Sequence, residues 1–419
     1  MKFINKNMVK IQKSLRILVF FLGFNSVIPI VNGSILFWAV IIFSIVYGFK
    51  MFFDGPKDFI FKNKYKIIFI IICTISSLVN YSYMNIYSYV KTLIMCLMFF
   101  ILTTHTKEQT KETLKNEMDI IFHAIIMFSF FITGGSLIKA IITEPNNLID
   151  SFFGVRYLGG YYENSNQSAS WAFFSLILGL IYFNNNKIFF TINSIIQLIM
   201  IVISGSRSVY IGLFISVIVY FLYYSIVIKR KSKKKITIII FLLSILALIF
   251  LIVTTLLRFK WIFKYMDYIN FENLLDVLSS YRYFMWKEAF IIFINKPLLG
   301  VGVSNIYEAT HNFFGSESIF TKLNMEDPHN IFISLLAYTG ILGFISFSMI
   351  IFTKTKKIIS VIKNEPNNKT ISLLILFISI FIFSIFDVAV IFDTHIATML
   401  FWYIAGIFTY KSNSLKSLK

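Results

Sequence analysis

The chain has little charge and almost no cysteine. Only 14% of its 419 residues are Asp, Glu, Lys or Arg, against about 25% in soluble globular proteins. Two cysteines, Cys73 and Cys96, are too few for a disulfide framework or a paired-cysteine metal site. There is no H-E-x-x-H and no Asp-rich metal motif, so nothing points to a metal or other cofactor. Acidic residues number 20 against 39 basic ones, a formal net charge of +19. Such an excess would ordinarily suggest nucleic acid, but its distribution excludes that partner.

What the chain has in abundance is apolar sequence. Hydrophobic residues make up 57% of it, in recurring runs of roughly 20, each long enough to cross a bilayer. The runs do not alternate polar with apolar, which excludes a β-barrel. An all-α polytopic membrane protein is expected, one membrane domain over residues 1–419. About 12 spans are predicted, at about 15–31, 34–53, 67–84, 86–104, 118–142, 168–183, 188–203, 209–228, 236–257, 330–353, 371–391 and 394–410. The first is read as a retained helix rather than a cleaved leader, since no small-residue cleavage site follows it.

The basic residues sort by side. With the N-terminus inside, the inner segments hold 28 Lys and Arg, KRKSKKK (229–235) among them, and the longer outer segments hold nine. That is the positive-inside bias, with both termini cytoplasmic. Arginine sorts the other way: Arg156, Arg207, Arg258 and Arg282 are outside, and only Arg16 and Arg230 inside. Arginine offers a rigid fork of donors for phosphate or carboxylate, so an anionic ligand is expected on the outer face.

Two outer loops stand out. One, 143–167, carries Arg156, Glu163 and many Asn, Tyr and Gly residues. Such a mixture suits a sugar-binding surface, and equally an interfacial aromatic belt. The other, 258–329, lies between the ninth and tenth spans and is the one long stretch not built for lipid. In it Ser279 or Ser280 can cap a helix running to about Ile294. Arg282, Trp286, Phe290 and Phe293 fall on one face of that helix, expected to lie along the membrane surface.

Several residues could carry chemistry. The turn SGSRS (204–208) joins two spans with almost no loop, so Arg207 lies at the outer interface. It either snorkels to headgroups or binds a ligand that Gly205 and the serines admit. Arg282 opens a helix whose N-terminus already favours anions. The G-x-G of PLLGVG (Gly300, Gly302) has no preceding strand and no third glycine; it is read as a tight turn, not a dinucleotide fingerprint. His329, in Pro-His-Asn at the mouth of a span, is a candidate general base near pH 7, with His311 as a rival. Lys91, His123 and Asp387 lie in or near spans and are read as structural pairs.

Taken together, SGSRS, SYRYFMWKEAFIIFINKPLLGVG and PHNIFISLLAYTGILG resemble the O-antigen ligase and polymerase family of bacterial envelope enzymes. In that family a long outer loop carries an Arg-containing helix, a P-L-x-G-x-G turn and an H-N before a span with G-x-x-G. The corresponding residues are Arg282, Pro297 to Gly302, His329–Asn330 and Gly340/Gly343. The resemblance implies a metal-independent, inverting glycosyltransferase with a class C-like membrane fold in the bacterial cytoplasmic membrane. Its implied donor is a glycan on undecaprenyl diphosphate. Its acceptor is a second lipid-linked repeat unit in a polymerase, or a lipid A-core sugar in a ligase. Arg207, Arg282 and His329 are the expected catalytic residues, with Arg156, Glu163, Asn330, Gly300 and Gly302 binding substrate. Glu163 is the alternative base. A chain-length regulator and a flippase are the expected protein partners, and membrane lipid surrounds the spans. A flippase or a scaffold for an envelope synthesis complex is the competing reading.

Overall fold

The computed structural model describes residues 2–29, 32–53, 55–80, 99–105, 109–146, 158–162, 164–182, 186–227, 272, 275–276, 279, 282–303, 305–386 and 395–416. Among them the regular elements are helices, as lipid requires of a chain that must satisfy its backbone internally. They are α1 (Lys2–Asn25), α2 (Gly33–Phe53), α3 (Pro56–Val79), α4 (Lys111–Thr143), α5 (Ser165–Tyr182), α6 (Lys187–Ser204) and α7 (Arg207–Val227). After these come α8 (Arg282–Asn295), α9 (Ile306–Phe314), α10 (Ile319–Leu323), α11 (Ile331–Asn364), α12 (Asn368–Phe383) and α13 (Ile396–Lys416). By length and composition α2, α4, α6 and α11 are each able to cross a membrane. The expected spans at 86–104 and 236–257 lie outside the described residues, apart from 99–104.

Several boundaries differ from the sequence reading: the helix expected at 15–31 spans Lys2–Asn25, and the one expected at 67–84 begins at Pro56. The helix expected at 330–353 continues to Asn364, because the basic segment after it has good helix formers and no breaker before Pro366. The helix expected at 371–391 ends at Phe383 and passes into a turn over 384–386. α8 packs by a face other than the one expected to lie along the membrane surface. Its buried stripe is Met285, Ala289 and Ile292, at i, i+4 and i+7 against α11. Trp286 and Phe290 lie off that stripe, and Phe290 is exposed.

Aromatic side chains fill the core. Phe377 stacks on Phe401 with ring centroids 4.3 Å apart, and Phe173 meets Phe383 edge-on. α7 and α12 run antiparallel at close range. Ser216 Oγ lies 3.0 Å from Ser379 Oγ, and Gly212 sits flush on the Phe383 ring, where any Cβ would overlap it. Small residues of this kind let helices approach when no hydrophobic drive separates lipid from protein.

α11 is broken at Gly340 (φ 62°, ψ −166°), and the break is filled by the PLLGVG turn. The carbonyls of Ala337 and Tyr338, freed from the helix, accept from Val301 N at 2.9 Å and Gly302 N at 3.0 Å. Past the break, Ile341 N donates to the Pro297 carbonyl at 2.8 Å and Leu342 N to that of Leu298 at 3.4 Å. From α3, Ser76 Oγ donates to the Tyr338 carbonyl at 2.8 Å, and Asn80 Nδ2 to that of Gly300 at 3.0 Å. Orphaned backbone groups are thus paired without water. Gly300 and Gly340 both have positive φ, and a Cβ on either would overlap the facing carbonyl.

A candidate anion-binding site at three helix N-termini

The SGSRS turn folds as the sequence suggests. Gly205 takes the left-handed conformation (φ 64°) that closes α6, and Arg207 is the first residue of α7. Tyr210 Oη donates to the Val202 carbonyl at 2.8 Å and locks the corner. The α7–α12 register pairs 216 with 379 and 212 with 383.

The turn that ends α12 collects the other two segments through three successive carbonyls. Ser384 O accepts from Ile331 N at 2.8 Å. Ile385 O accepts from Asn330 Nδ2 at 2.9 Å. Phe386 O accepts from Arg282 Nη1 at 2.6 Å. Ser279 Oγ accepts from Tyr283 N at 2.8 Å, capping α8 as expected. Trp286 Nε1 donates to the Pro328 carbonyl at 2.8 Å and ties α8 to the Pro-His-Asn segment.

His329 is one of two non-glycine residues with positive φ among those described, at 50°. For a residue with a Cβ this is a strained conformation. Asp327 holds it there: its Oδ1 accepts from His329 N at 2.7 Å and lies 3.4 Å from His329 Nδ1. A carboxylate on one ring nitrogen orients the imidazole and leaves the other as a base. Asp327 was not singled out in the sequence; the signal was its two-residue spacing from His329, which suits an Asx turn. Asn330 is fully occupied as the cap of α11, its Oδ1 accepting from Phe332 N and Ile333 N at 3.0 and 3.1 Å.

The 143–167 loop reaches the same corner. Leu158 N donates to the Ile203 carbonyl at 3.4 Å, and Tyr161 N to Ser136 Oγ at 3.0 Å. The buried Tyr162 hydroxyl pairs with Thr133 Oγ1 at 2.9 Å, and burial pushes its pKa up to about 12. Arg156 and Glu163 in this loop lie outside the described residues, as do Lys91 and Asp387. Gly300 and Gly302 make their backbone contacts to α3 and α11, as described above. His311 sits on α9 with Nδ1 3.4 Å from Thr321 Oγ1, and His123 Nδ1 lies 2.6 Å from the Asp119 carbonyl. Among the described residues no group of three or more His, Cys, Asp or Glu is suited to a metal ion.

A helical membrane protein that brings an arginine and an oriented histidine together at the N-termini of two helices has a face suited to an anion. Residues 192–348 match the family model described as O-antigen ligase, which supports the resemblance to the O-antigen ligase and polymerase family of glycosyltransferase-like membrane proteins. The matched segment contains Arg207, Arg282 and His329 but stops before α12 and the 384–386 turn, whose carbonyls hold two of these segments in place. No curated protein matches the chain.

Proposed function

We propose that the chain is a metal-independent, inverting glycosyltransferase that joins oligosaccharide repeat units carried on undecaprenyl diphosphate into a surface polysaccharide. Both termini are cytoplasmic on this reading. Residues 1–419 form one membrane domain, and the 143–167 and 258–329 loops work on the outer face of the cytoplasmic membrane. A chain-length regulator and a flippase act with it. The observation that carries the reading is the gathering of Arg282 and His329–Asn330 on the carbonyls of Ser384, Ile385 and Phe386; Arg207, at the start of α7, is assigned as the second cation from the sequence.

The chemistry follows from that arrangement. A diphosphate leaving group gains charge as the glycosidic bond breaks, and two guanidinium groups stabilise it. Phosphate leaves readily, so no acid is needed. His329, oriented by Asp327, takes the proton of the acceptor hydroxyl. Arg156 and Glu163 bind the glycan from the 143–167 loop. Asn330, Gly300 and Gly302 serve by positioning, since their polar groups are engaged within the protein.

The family description favours a second reading, transfer of finished polysaccharide to lipid A-core. Deletion of the gene in its host separates the two. Single repeat units on the acceptor with long chains gone mean polymerase, and long chains stranded on the carrier lipid mean ligase. Single units trapped on the cytoplasmic side mean a flippase, which would sink the catalytic reading.

A further inference from the structure

α11 is long and apolar enough to cross a membrane, and it serves as a ruler for depth. The run Ile331–Thr353 has no Asp, Glu, Lys or Arg. It makes about 34 Å of helix, enough for the hydrocarbon core of a bilayer. Asp327 and His329 precede the run and Lys354 follows it. Gly340 lies nine residues in from Ile331, about 13 Å below the mouth of the helix. α8 is tied to α11 at both levels. Near its start, Trp286 Nε1 donates to the Pro328 carbonyl at 2.8 Å, outside the apolar run. Just past its end, the Pro297 carbonyl accepts from Ile341 N at 2.8 Å, well inside the run. Between these ties, Met285, Ala289 and Ile292 share one buried cluster with Ala337 and Tyr338. α8 thus descends along the side of α11 instead of lying across its mouth.

What the descending segment turns outward is apolar. Phe290, Ile294 and Leu298, spaced four residues apart, are 48%, 58% and 63% exposed. From Ala289 to Tyr307 the one charged residue is Lys296, and its Nζ turns inward to Asn80 Oδ1 at 2.6 Å. Asn295 Nδ2 donates back to the Ile291 carbonyl at 2.8 Å. The main chain of the turn is enclosed as well. Its bonds run to the broken stretch of α11 and to Asn80, and Val303 N donates to Ser77 Oγ at 3.2 Å. Irregular backbone at membrane depth is tolerated only where protein satisfies it. A loop in water needs no such enclosure, and there a row of three large apolar side chains would be a liability. We propose that residues 290–303 form a re-entrant segment. α8 dips into the leaflet at the mouth of α11, the PLLGVG turn sits about 13 Å below that mouth, and Phe290, Ile294 and Leu298 face lipid acyl chains. The depth is counted along α11 and holds whichever way the chain is inserted; on the orientation proposed above, the leaflet is the outer one.

The test is spin-label accessibility in the full-length protein, in phosphatidylcholine vesicles. Nitroxides are placed on Ile294→Cys or Leu298→Cys in a Cys73→Ser/Cys96→Ser background. Phe131→Cys, on an exposed position of the membrane-crossing α4, is the lipid reference. Glu317→Cys, at a side chain 83% exposed beside α10, is the water reference. Labels at 294 and 298 are expected to meet dissolved oxygen several-fold more than a water-soluble nickel chelate, as at 131, with the reverse at 317. Chelate access at 294 and 298 equal to that at 317 overturns the proposal. Protection from both reagents overturns it too, and spin–spin broadening would then mark a second copy on this face. Where the cysteine-free background does not fold, Leu298→Asp and Leu323→Asp in the otherwise unaltered chain decide. Both positions are exposed and close to the C-terminal end of a helix, but only 298 is assigned to lipid. Leu298→Asp is expected to lower the melting temperature by several degrees more than Leu323→Asp, and equal shifts overturn the proposal.

Discussion

Arg282 Nη1 donates to the Phe386 carbonyl at 2.6 Å, across 104 residues of chain. The bond fixes one arm of the guanidinium fork to the turn after α12. Lysine's donors sit on one nitrogen, so it cannot hold this carbonyl and also present a planar, two-pronged fork to a phosphate. Arg282→Lys is therefore expected to lower transfer on the order of 100-fold, the scale of one lost oxyanion donor, with melting little changed. A scaffold or flippase would tolerate the change. The readout is polysaccharide length in a complemented deletion strain, with melting of the purified variant beside it.

His329 can be separated from its backbone role. Its φ of 50° suits glycine better than any residue with a Cβ. His329→Gly is expected to keep stability within about 1 kcal/mol of wild type while removing activity by about 10²–10⁴-fold, the range of a lost general base. Asp327→Asn is expected to produce a smaller loss and a shifted pH profile. Equal activity of His329→Gly and wild type would remove His329 from the reaction.

Gly340 is a packing requirement. A Cβ there would overlap the Leu298 carbonyl, and its φ of 62° disfavours any other residue. Gly340→Ala is expected to cost about 2–4 kcal/mol, combining left-handed strain with overpacking. Gly48, whose Cβ would meet nothing within 4 Å, is the matched control, and Gly48→Ala is expected to be neutral or slightly stabilising. Thermal melting of the two variants checks this.

Tyr162 carries a pH signature. Its pKa is raised from 10.0 to about 12 by burial, so the folded state prefers the neutral phenol more than the unfolded state does. Its contribution is complete below pH 10 and is lost as pH rises toward 12. Two pKa units correspond to about 3 kcal/mol. Tyr162→Phe gives up the bond to Thr133, about 1 kcal/mol at neutral pH. The wild type's advantage is expected to shrink above pH 10 and to reverse by about pH 12, since titration takes more from wild type than the bond to Thr133 gives, measured as the gap between the two melting temperatures.

Much of the local structure was legible before the fold was known. The Ser279 cap, the Gly205 corner and the start of α7 at Arg207 follow from residues whose side chains or missing Cβ act over three or four positions. The PLLGVG turn was legible as a turn, but its role was not. Only the break at Gly340 explains it, because the carbonyls it satisfies belong to another helix. Arg282, Trp286, Phe290 and Phe293 share a face, yet Met285, Ala289 and Ile292 are what the neighbouring helix covers. In a chain this apolar, hydrophobicity alone does not say which face meets protein and which meets lipid.

By itself the sequence determined that this is a helical membrane protein, since runs of about 20 apolar residues have few other ways to satisfy their backbone in lipid. It also determined which residues open α7, α8 and α11. The meeting of α8 and α11 was decided only by the tertiary structure. Arg282 and His329 are far apart in the chain, and the groups that gather their segments are main-chain carbonyls at 384–386, which every residue possesses and no side chain announces.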